Sequence, residues 1–516
     1  MYNLSIVLED SARKYPESEA LVFAQHRITY AQLNAMSNQV ANGLKKIGIR
    51  PGDKVALTCP NLPYFPVVYY GILKTGAVVV PLSVLLKGDE VAYHLQNSDA
   101  KAYFCFQGTP ELPMGEYGHN GFKNAPDCDY FFMIMANPAD SSPIEKTKTL
   151  GQLMSTQAPV FESHPTLESD TAIIIYTSGT TGRPKGAELT HSNMLINAFG
   201  ATRDNLGYIR HKDNLLTILP LFHIFGQTVL MNGGILQGAT LVLMARFDAA
   251  QAFELMEKEN ITVFAGVPTM YWALLHTDTS SFDMDKISKN LKTCVSGGAS
   301  LPVAVLHEFE EKYNVEILEG YGMSEGSPVV TFNHRDLGRK PGSVGTPFFG
   351  VEVKLLDSEG IEVPVGKKGE LCYKGHNVMK GYYKNPTETE KTLINGWLHS
   401  GDIAIKDEDG FYFIVDRTKD MIIRGGLNVY PREVERVMMK HEAISLVAVI
   451  GVPDEKMGEE VKAFVVLKPG IKADPDEIVA WTKAKIASYK YPRKVEIIEA
   501  LPMSATGKIL KKELRK

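Results

Sequence analysis

The chain has 516 residues, well beyond the size at which one hydrophobic core stops growing, so at least two structural units are expected. Hydrophobic residues make up 44% and charged residues 22%, without a low-complexity tract or a fixed-period repeat, which excludes a disordered or solenoid chain. Lys+Arg 55 against Asp+Glu 60 leaves a net charge of -5 and no overall positive field to hold nucleic acid.

Near the start, Thr29 followed by Gln32 has the spacing of a capping box, with Ile28 and Leu33 placed as its staple. Leu33, Met36, Val40, Leu44 and Ile47 then fall on one helical face, and the helix is predicted to end near Gly48. Short apolar runs at Val55 to Leu57 and Gly76 to Leu82, separated by helical patterns, give the rhythm of an α/β unit around a buried parallel sheet. Five scattered cysteines (Cys59, Cys105, Cys128, Cys294 and Cys372), none in C-x-x-C spacing, suggest neither a disulfide framework nor a zinc site and fit a reducing cytosol. The opening MYNLSIVLEDSARKYPE lacks a basic segment followed by an apolar one, and Val78 to Val80 is far too short to span a bilayer. A cytoplasmic protein is expected, with peripheral contact to a membrane left open.

The stretch from Glu111 to Pro165 is rich in Pro, Asn, Asp and Ser and weakly periodic, which predicts surface loops or irregular structure rather than a separate domain. Directly after the apolar run AIIIY comes YTSGTTGRPKG, Tyr176 to Gly186. Its glycines and the hydroxyls of Thr177, Ser178, Thr180 and Thr181 can bend donors around phosphate oxygens, and Lys185 adds a positive charge. The string is not a Walker A motif, because its lysine follows Pro184. Alternating apolar patterns at Glu352 to Leu356, Gly369 to Lys374 and Phe411 to Val415 predict a small β subdomain. The last hundred residues read as a compact α+β unit, with helices at Val434 to Met439 and Ile478 to Ile486 and strands at Val447 to Val452 and Val461 to Leu467.

Four further segments follow the phosphate loop: EGYGMSEGSP (Glu319 to Pro328), WLHSGDIA (Trp397 to Ala404), DRTKDMIIRGGLNVYPREVE (Asp416 to Glu435) and MSATGKILKKEL (Met503 to Leu514). In this order the five motifs resemble the adenylate-forming superfamily of acyl-CoA synthetases, luciferases and peptide-synthetase adenylation domains, over nearly the whole chain and closest to the fatty-acid-CoA ligases. The resemblance implies a large N-terminal domain of layered α/β subdomains plus a small β subdomain over residues 1–416, a hinge at 417–419, and a smaller mobile α+β domain over 420–516. It implies an ATP- and Mg²⁺-dependent enzyme that activates a medium- or long-chain carboxylic acid as acyl-AMP, releases pyrophosphate and transfers the acyl group to CoA.

Residue by residue, the same resemblance assigns the phosphate loop Thr177, Ser178, Gly179, Thr180, Thr181, Gly182 and Lys185 to ATP, together with Gly298, Glu319, Gly320 and Gly322. Tyr321 is set against adenine, Ser324 near the α-phosphate, and Asp402 and Arg417 on the ribose. Glu325, with Thr177, is set on the metal, a role that suits a hard oxygen ligand. Lys508 matches the adenylation lysine, a cation able to bridge the attacking carboxylate and the α-phosphate. Lys419 occupies the hinge, His223 lies beside the acyl-binding and thiol-access region, and Gly425 and Gly426 line a pantetheine passage. The family's acyl pocket reads Phe222, Phe225, Val267, Met270 and Tyr271 with Gly297 and Gly298, which suits a hydrocarbon tail. The Leu221-Phe222-His223 segment carries no acid to pair with an amino-acid substrate. An aryl acid ligase, an acyl-AMP ligase that loads a carrier protein, a luciferase-like oxygenase and a nonenzymatic ATP sensor remain the other readings.

Overall fold

A computed structural model of the chain describes residues 2–177, 183–205, 209–417, 420–425, 427–504 and 507–515. The capping box forms: Thr29 accepts from the Gln32 amide and the Gln32 side chain from that of Thr29, opening the helix Tyr30–Lys46. Leu33, Val40 and Leu44 are fully buried along it.

Among the described residues, two large sheets carry the N-terminal region. The eight-stranded sheet runs Gly381–Tyr382, Lys185–Thr190, Thr171–Thr177, Val78–Pro81, Lys54–Thr58, Ala100–Phe106, Tyr130–Ile134 and Lys148–Thr149. From Thr171–Thr177 to Lys148–Thr149 its strands pair in parallel, while Lys185–Thr190 and Gly381–Tyr382 add an antiparallel edge, and Val78–Pro81 is buried along its length, as a sheet covered on both faces requires. The nine-stranded sheet has a parallel centre of Ile317–Gly322, Thr293–Ser296, Val263–Gly266, Asn214–Thr217 and Thr240–Leu243. One hydrophobic core runs through both sheets and their helices, from Leu4 to Ile414.

A third, antiparallel sheet joins Val351–Leu356, Lys368–Gly375, Trp397–Lys406 and Tyr412–Arg417, the small β subdomain of the sequence reading. After it, Ile422–Arg424, Ile444–Asp454, Gly458–Leu467 and Lys494–Ile497 form a separate sheet packed by the helices Pro431–Met438 and Pro475–Lys483. That region has its own apolar clusters, one around Ile422, Val434, Val449 and Ile478 and another around Ile450, Phe464 and Leu501. No described helix is long and apolar enough to cross a membrane.

One expectation needs correction. The segment read as surface loops or irregular structure contains the helix Met114–Lys123 and the strand Tyr130–Ile134, whose residues Phe131 to Ile134 are buried against Ala100–Phe106. The strand's signal, YFFMI, is short and lies between turn formers that dominate the local composition.

Candidate active site

The two large sheets, the small β subdomain and the C-terminal tail meet at a cavity of about 930 Å³. The strand Thr171–Thr177 delivers Thr177 to it, and the antiparallel return strand begins at Lys185, the Cα partner of Thr177. Pairing therefore pins both ends of the phosphate loop. Ser178, Gly179, Thr180, Thr181 and Gly182 lie outside the described residues, as do Lys419 and Gly426.

The strand Ile317–Gly322 brings Gly320, Tyr321 and Gly322 to the same cavity, and the turn after it adds Ser324 and Glu325. Its glycines are sterically fixed. A Cβ on Gly320 would stand 2.2 Å from the Phe332 ring, and one on Gly322 would stand 2.0 Å from the Pro328 carbonyl oxygen. The Tyr321 hydroxyl donates to Asp402 Oδ2 at 2.5 Å, and Asp402 is buried. Arg417 is the Cα partner of Asp402 across the strand pair. Glu325 is buried at 6% exposure, and its Oε1 accepts from the Tyr382 hydroxyl at 2.8 Å.

Lys185 is engaged inside the protein: its Nζ lies 2.8 Å from Glu388 Oε2 and 4.5 Å from the centre of the Tyr382 ring. Hydrogen bonds from Lys185 and Lys391 pull the Glu388 carboxyl down to about 2. Tyr382 and Glu388 were absent from the sequence reading. Both reach the site across some two hundred residues of chain, and no local pattern marks them.

From the far end of the chain, Ser504, Gly507 and Lys508 line the cavity. A tight turn holds them: the Lys508 amide donates to Ser504 Oγ at 3.1 Å and the Ser504 amide to the Lys508 carbonyl at 2.8 Å. Gly507 has φ +73, and Thr269 donates to its carbonyl at 3.4 Å. Lys508 stands near His223. Burial pushes the His223 imidazole down to about 4, and the Lys508 ammonium pushes in the same direction, so the ring is neutral at pH 7.

Phe222, Phe225, Val267, Gly297 and Gly298 also line the cavity. Met270 and Tyr271 do not. Tyr271 is fully buried, donates to the Val295 carbonyl at 2.7 Å and packs edge-on against Phe264 and Phe309. The helix Pro268–Leu275 turns that face into the core, so two residues predicted as acyl wall serve packing instead. Ser296, which the sequence reading passed over, does line it: the residue is 1% exposed and its hydroxyl has no hydrogen-bond partner.

Besides Met270 and Tyr271, three of the predicted residues whose side chains are described do not line the cavity: Asp402, which meets it through the Tyr321 hydroxyl, Glu319 and Gly425. Glu319 is buried behind the strand, accepting from the Gly342 amide at 3.0 Å, and desolvation lifts its carboxyl to about 7. Gly425, at φ +56, lies against Met457 away from the cavity.

The constellation couples oxygen ligands, an aromatic hydroxyl and a lysine from the C-terminal tail around one cavity, a set suited to a nucleotide and an acid. Comparison with known proteins agrees. Residues 8–383 match the AMP-binding enzyme family and residues 433–508 the AMP-binding enzyme C-terminal domain. A long-chain-fatty-acid-CoA ligase of Bacillus subtilis (strain 168) is 35% identical, covering 99% of this chain and 94% of its own. A feruloyl-CoA synthase of an Amycolatopsis species is 36% identical, covering 98% and 97%. Among solved structures, the anthranilate CoA ligase AuaEII in complex with anthranoyl-AMP superposes with a TM-score of 0.90 at 29% identity, over 99% of this chain and 96% of that one. The chain belongs to the AMP-binding enzyme family and is an adenylate-forming CoA ligase with ATP and CoA as substrates.

Proposed function

We propose that this ligase activates a medium- or long-chain fatty acid as acyl-AMP, with release of pyrophosphate, and passes the acyl group to CoA. One observation carries the adenylation half: Lys508, from the C-terminal tail, lines the same cavity as Thr177, Tyr321 and Glu325. A lysine there can bridge the substrate carboxylate and the α-phosphate and offset the charge that gathers as two anions approach. The described phosphate-loop flank Thr177 and Lys185 serves the phosphates, Tyr321 the adenine, and Asp402 with Arg417 the ribose. Lys185 exchanges Glu388 for phosphate oxygen when ATP is bound.

The donors around Glu325 fit a magnesium ion. The Glu325 carboxylate and the Thr177 hydroxyl are hard oxygen ligands lining one cavity, and Tyr382 steadies the carboxylate by its hydrogen bond. Bound there, the ion would neutralise phosphate charge. Neutral His223 stands beside the wall of Phe222 and Phe225, where the acyl group and the thiol would meet. The division into residues 1–416, a hinge at 417–419 and 420–516 belongs to the same proposal: rotation of the small domain would withdraw Lys508 and bring Gly425 and Gly426 to the pantetheine passage.

The fatty-acid reading rests on the acyl wall, where Phe222, Phe225, Val267 and Gly297 offer apolar surface and no carboxylate for an amino group. A second reading, an aryl acid, is favoured by the unpartnered Ser296 hydroxyl, which a ring substituent could satisfy. Pyrophosphate release measured across acids from acetate to oleate, with ferulate, benzoate and anthranilate, with and without CoA, separates them. Turnover rising along the alkanoates supports the fatty acid; a clear maximum on an aryl acid replaces it.

A further inference from the structure

The antiparallel strand pair of Lys368–Gly375 and Trp397–Lys406 carries a side-chain cluster that the adenylation chemistry does not use. Cys372 and His399 are direct Cα partners across the two strands, so their side chains leave the sheet on one face. Glu370 lies two residues before Cys372 and shares that face by the alternation of a strand, while a register shift between the two brings its carboxylate to the same imidazole. His399 Nδ1 stands 2.9 Å from Glu370 Oε2 and 3.3 Å from Cys372 Sγ. Among the described residues this is the one group of three or more potential metal-binding side chains whose ligand atoms lie within 4.8 Å of one another.

The contact is frustrated as a hydrogen-bonded trio. A proton on Nδ1 serves the carboxylate and leaves the thiol without that acceptor. A bare Nδ1 accepts from the thiol and turns its lone pair toward the carboxylate. A cation in place of the proton satisfies sulfur, nitrogen and oxygen together. We propose that Glu370, Cys372 and His399 form a binding site for a thiophilic divalent cation, Zn²⁺, at the rim of the adenylation cavity.

The dimensions agree. Zinc bonds of about 2.3 Å to sulfur and about 2.0–2.1 Å to nitrogen and oxygen place tetrahedral S and N ligands about 3.6 Å apart and N and O ligands about 3.3 Å apart. The observed separations are shorter by a few tenths of an ångström, within the reach of small side-chain rotations. Three protein ligands leave a fourth position, and Glu370 and His399 both line the cavity, so that position opens toward solvent and nucleotide. Mg²⁺, a hard ion that prefers oxygen, does not compete for a thiolate. Binding forms the Zn–S bond as the Cys372 thiol gives up its proton to solvent, with no change of oxidation state. The other oxygen of Glu370 accepts from the Gly401 amide at 2.9 Å, one residue before Asp402, which ties the site to the nucleotide-facing strand.

The test uses the full-length, nucleotide-free protein in excess Mg²⁺. Calorimetric titration with Zn²⁺ in two buffers of different ionisation enthalpy reports stoichiometry and proton release, and Co²⁺ reports thiolate ligation by its charge-transfer absorption. One saturable site per chain, release of about one proton and a thiolate band are expected. Cys372→Ser and His399→Gln should each weaken Zn²⁺ by roughly tenfold or more, and Cys372→Ser should abolish the band. Should Cys372→Ser fail to fold, Glu370→Gln is expected to weaken binding by a comparable factor. Absence of saturable binding, or variants that bind as tightly as the parent, leaves a hydrogen-bonded trio only and overturns the proposal.

Discussion

Replacing Lys508 by alanine removes the one tail cation that the turn of Ser504 to Lys508 presents to the cavity. If that ammonium stabilises charge only while the carboxylate attacks ATP, its loss should slow acyl-AMP formation by about 10²–10³-fold, or about 2.7–4 kcal/mol. The loss would not act through His223. Burial, the larger cause of its low pKa, persists in the variant, so removal of the neighbouring charge raises the imidazole from about 4 while leaving it neutral at pH 7. A graded control comes from Ser504→Ala, which takes the Oγ acceptor from the Lys508 amide; a net hydrogen bond is worth about 1 kcal/mol, so a roughly fivefold loss is expected. Adenylation is read by pyrophosphate exchange and thioester formation by CoA consumption from synthetic acyl-AMP. Thioester formation should survive Lys508→Ala, whereas Lys419→Pro, which fixes φ at about -65°, should accumulate acyl-AMP. Equal slowing of both half-reactions in Lys508→Ala would refute the separation of roles.

Three other outcomes follow from particular contacts. Glu319 titrates near 7 in the folded protein against an ordinary value of 4.5, so its contribution to stability is full below about pH 4.5 and is lost as pH rises toward 7, by about 3 kcal/mol in all; Glu319→Gln should flatten this slope in urea denaturation between pH 5 and 8, and an unchanged slope would assign it elsewhere. Gly322→Ala would drive a Cβ to 2.0 Å from the Pro328 carbonyl, a backbone clash that should lower Tm by several degrees and impair ATP binding, whereas a wild-type melting curve would contradict the geometry. Along an alkanoate series, kcat/KM should rise about fourfold per methylene, from about 0.8 kcal/mol each, until the cavity fills. Gly297→Val, whose Cβ meets the Phe225 ring at 3.1 Å, should bring that plateau to shorter acids; an unmoved plateau would mean that the chain runs elsewhere.

The sequence determined what is local. Thr29 and Gln32 lie within one turn and cap their helix without help from elsewhere, and the phosphate-loop string follows a strand whose apolar run is plain in the sequence. The five ordered motifs named the chemistry, since each packs its functional side chains into a single short run of sequence. Tertiary structure decided which of these side chains meet. Helical periodicity marks Met270 and Tyr271 as apolar but not which side faces the cavity; the packing of Tyr271 on Phe264 and Phe309 settled that. The partners of Lys185 and Glu325, namely Glu388 and Tyr382, arrive on a segment fixed only when Gly381–Tyr382 pairs with the strand after the phosphate loop. Cys372 and His399, 27 residues apart, become neighbours solely through strand register. Register, helix facing and the placing of the tail depend on burying apolar surface across the whole molecule, which no window of sequence contains.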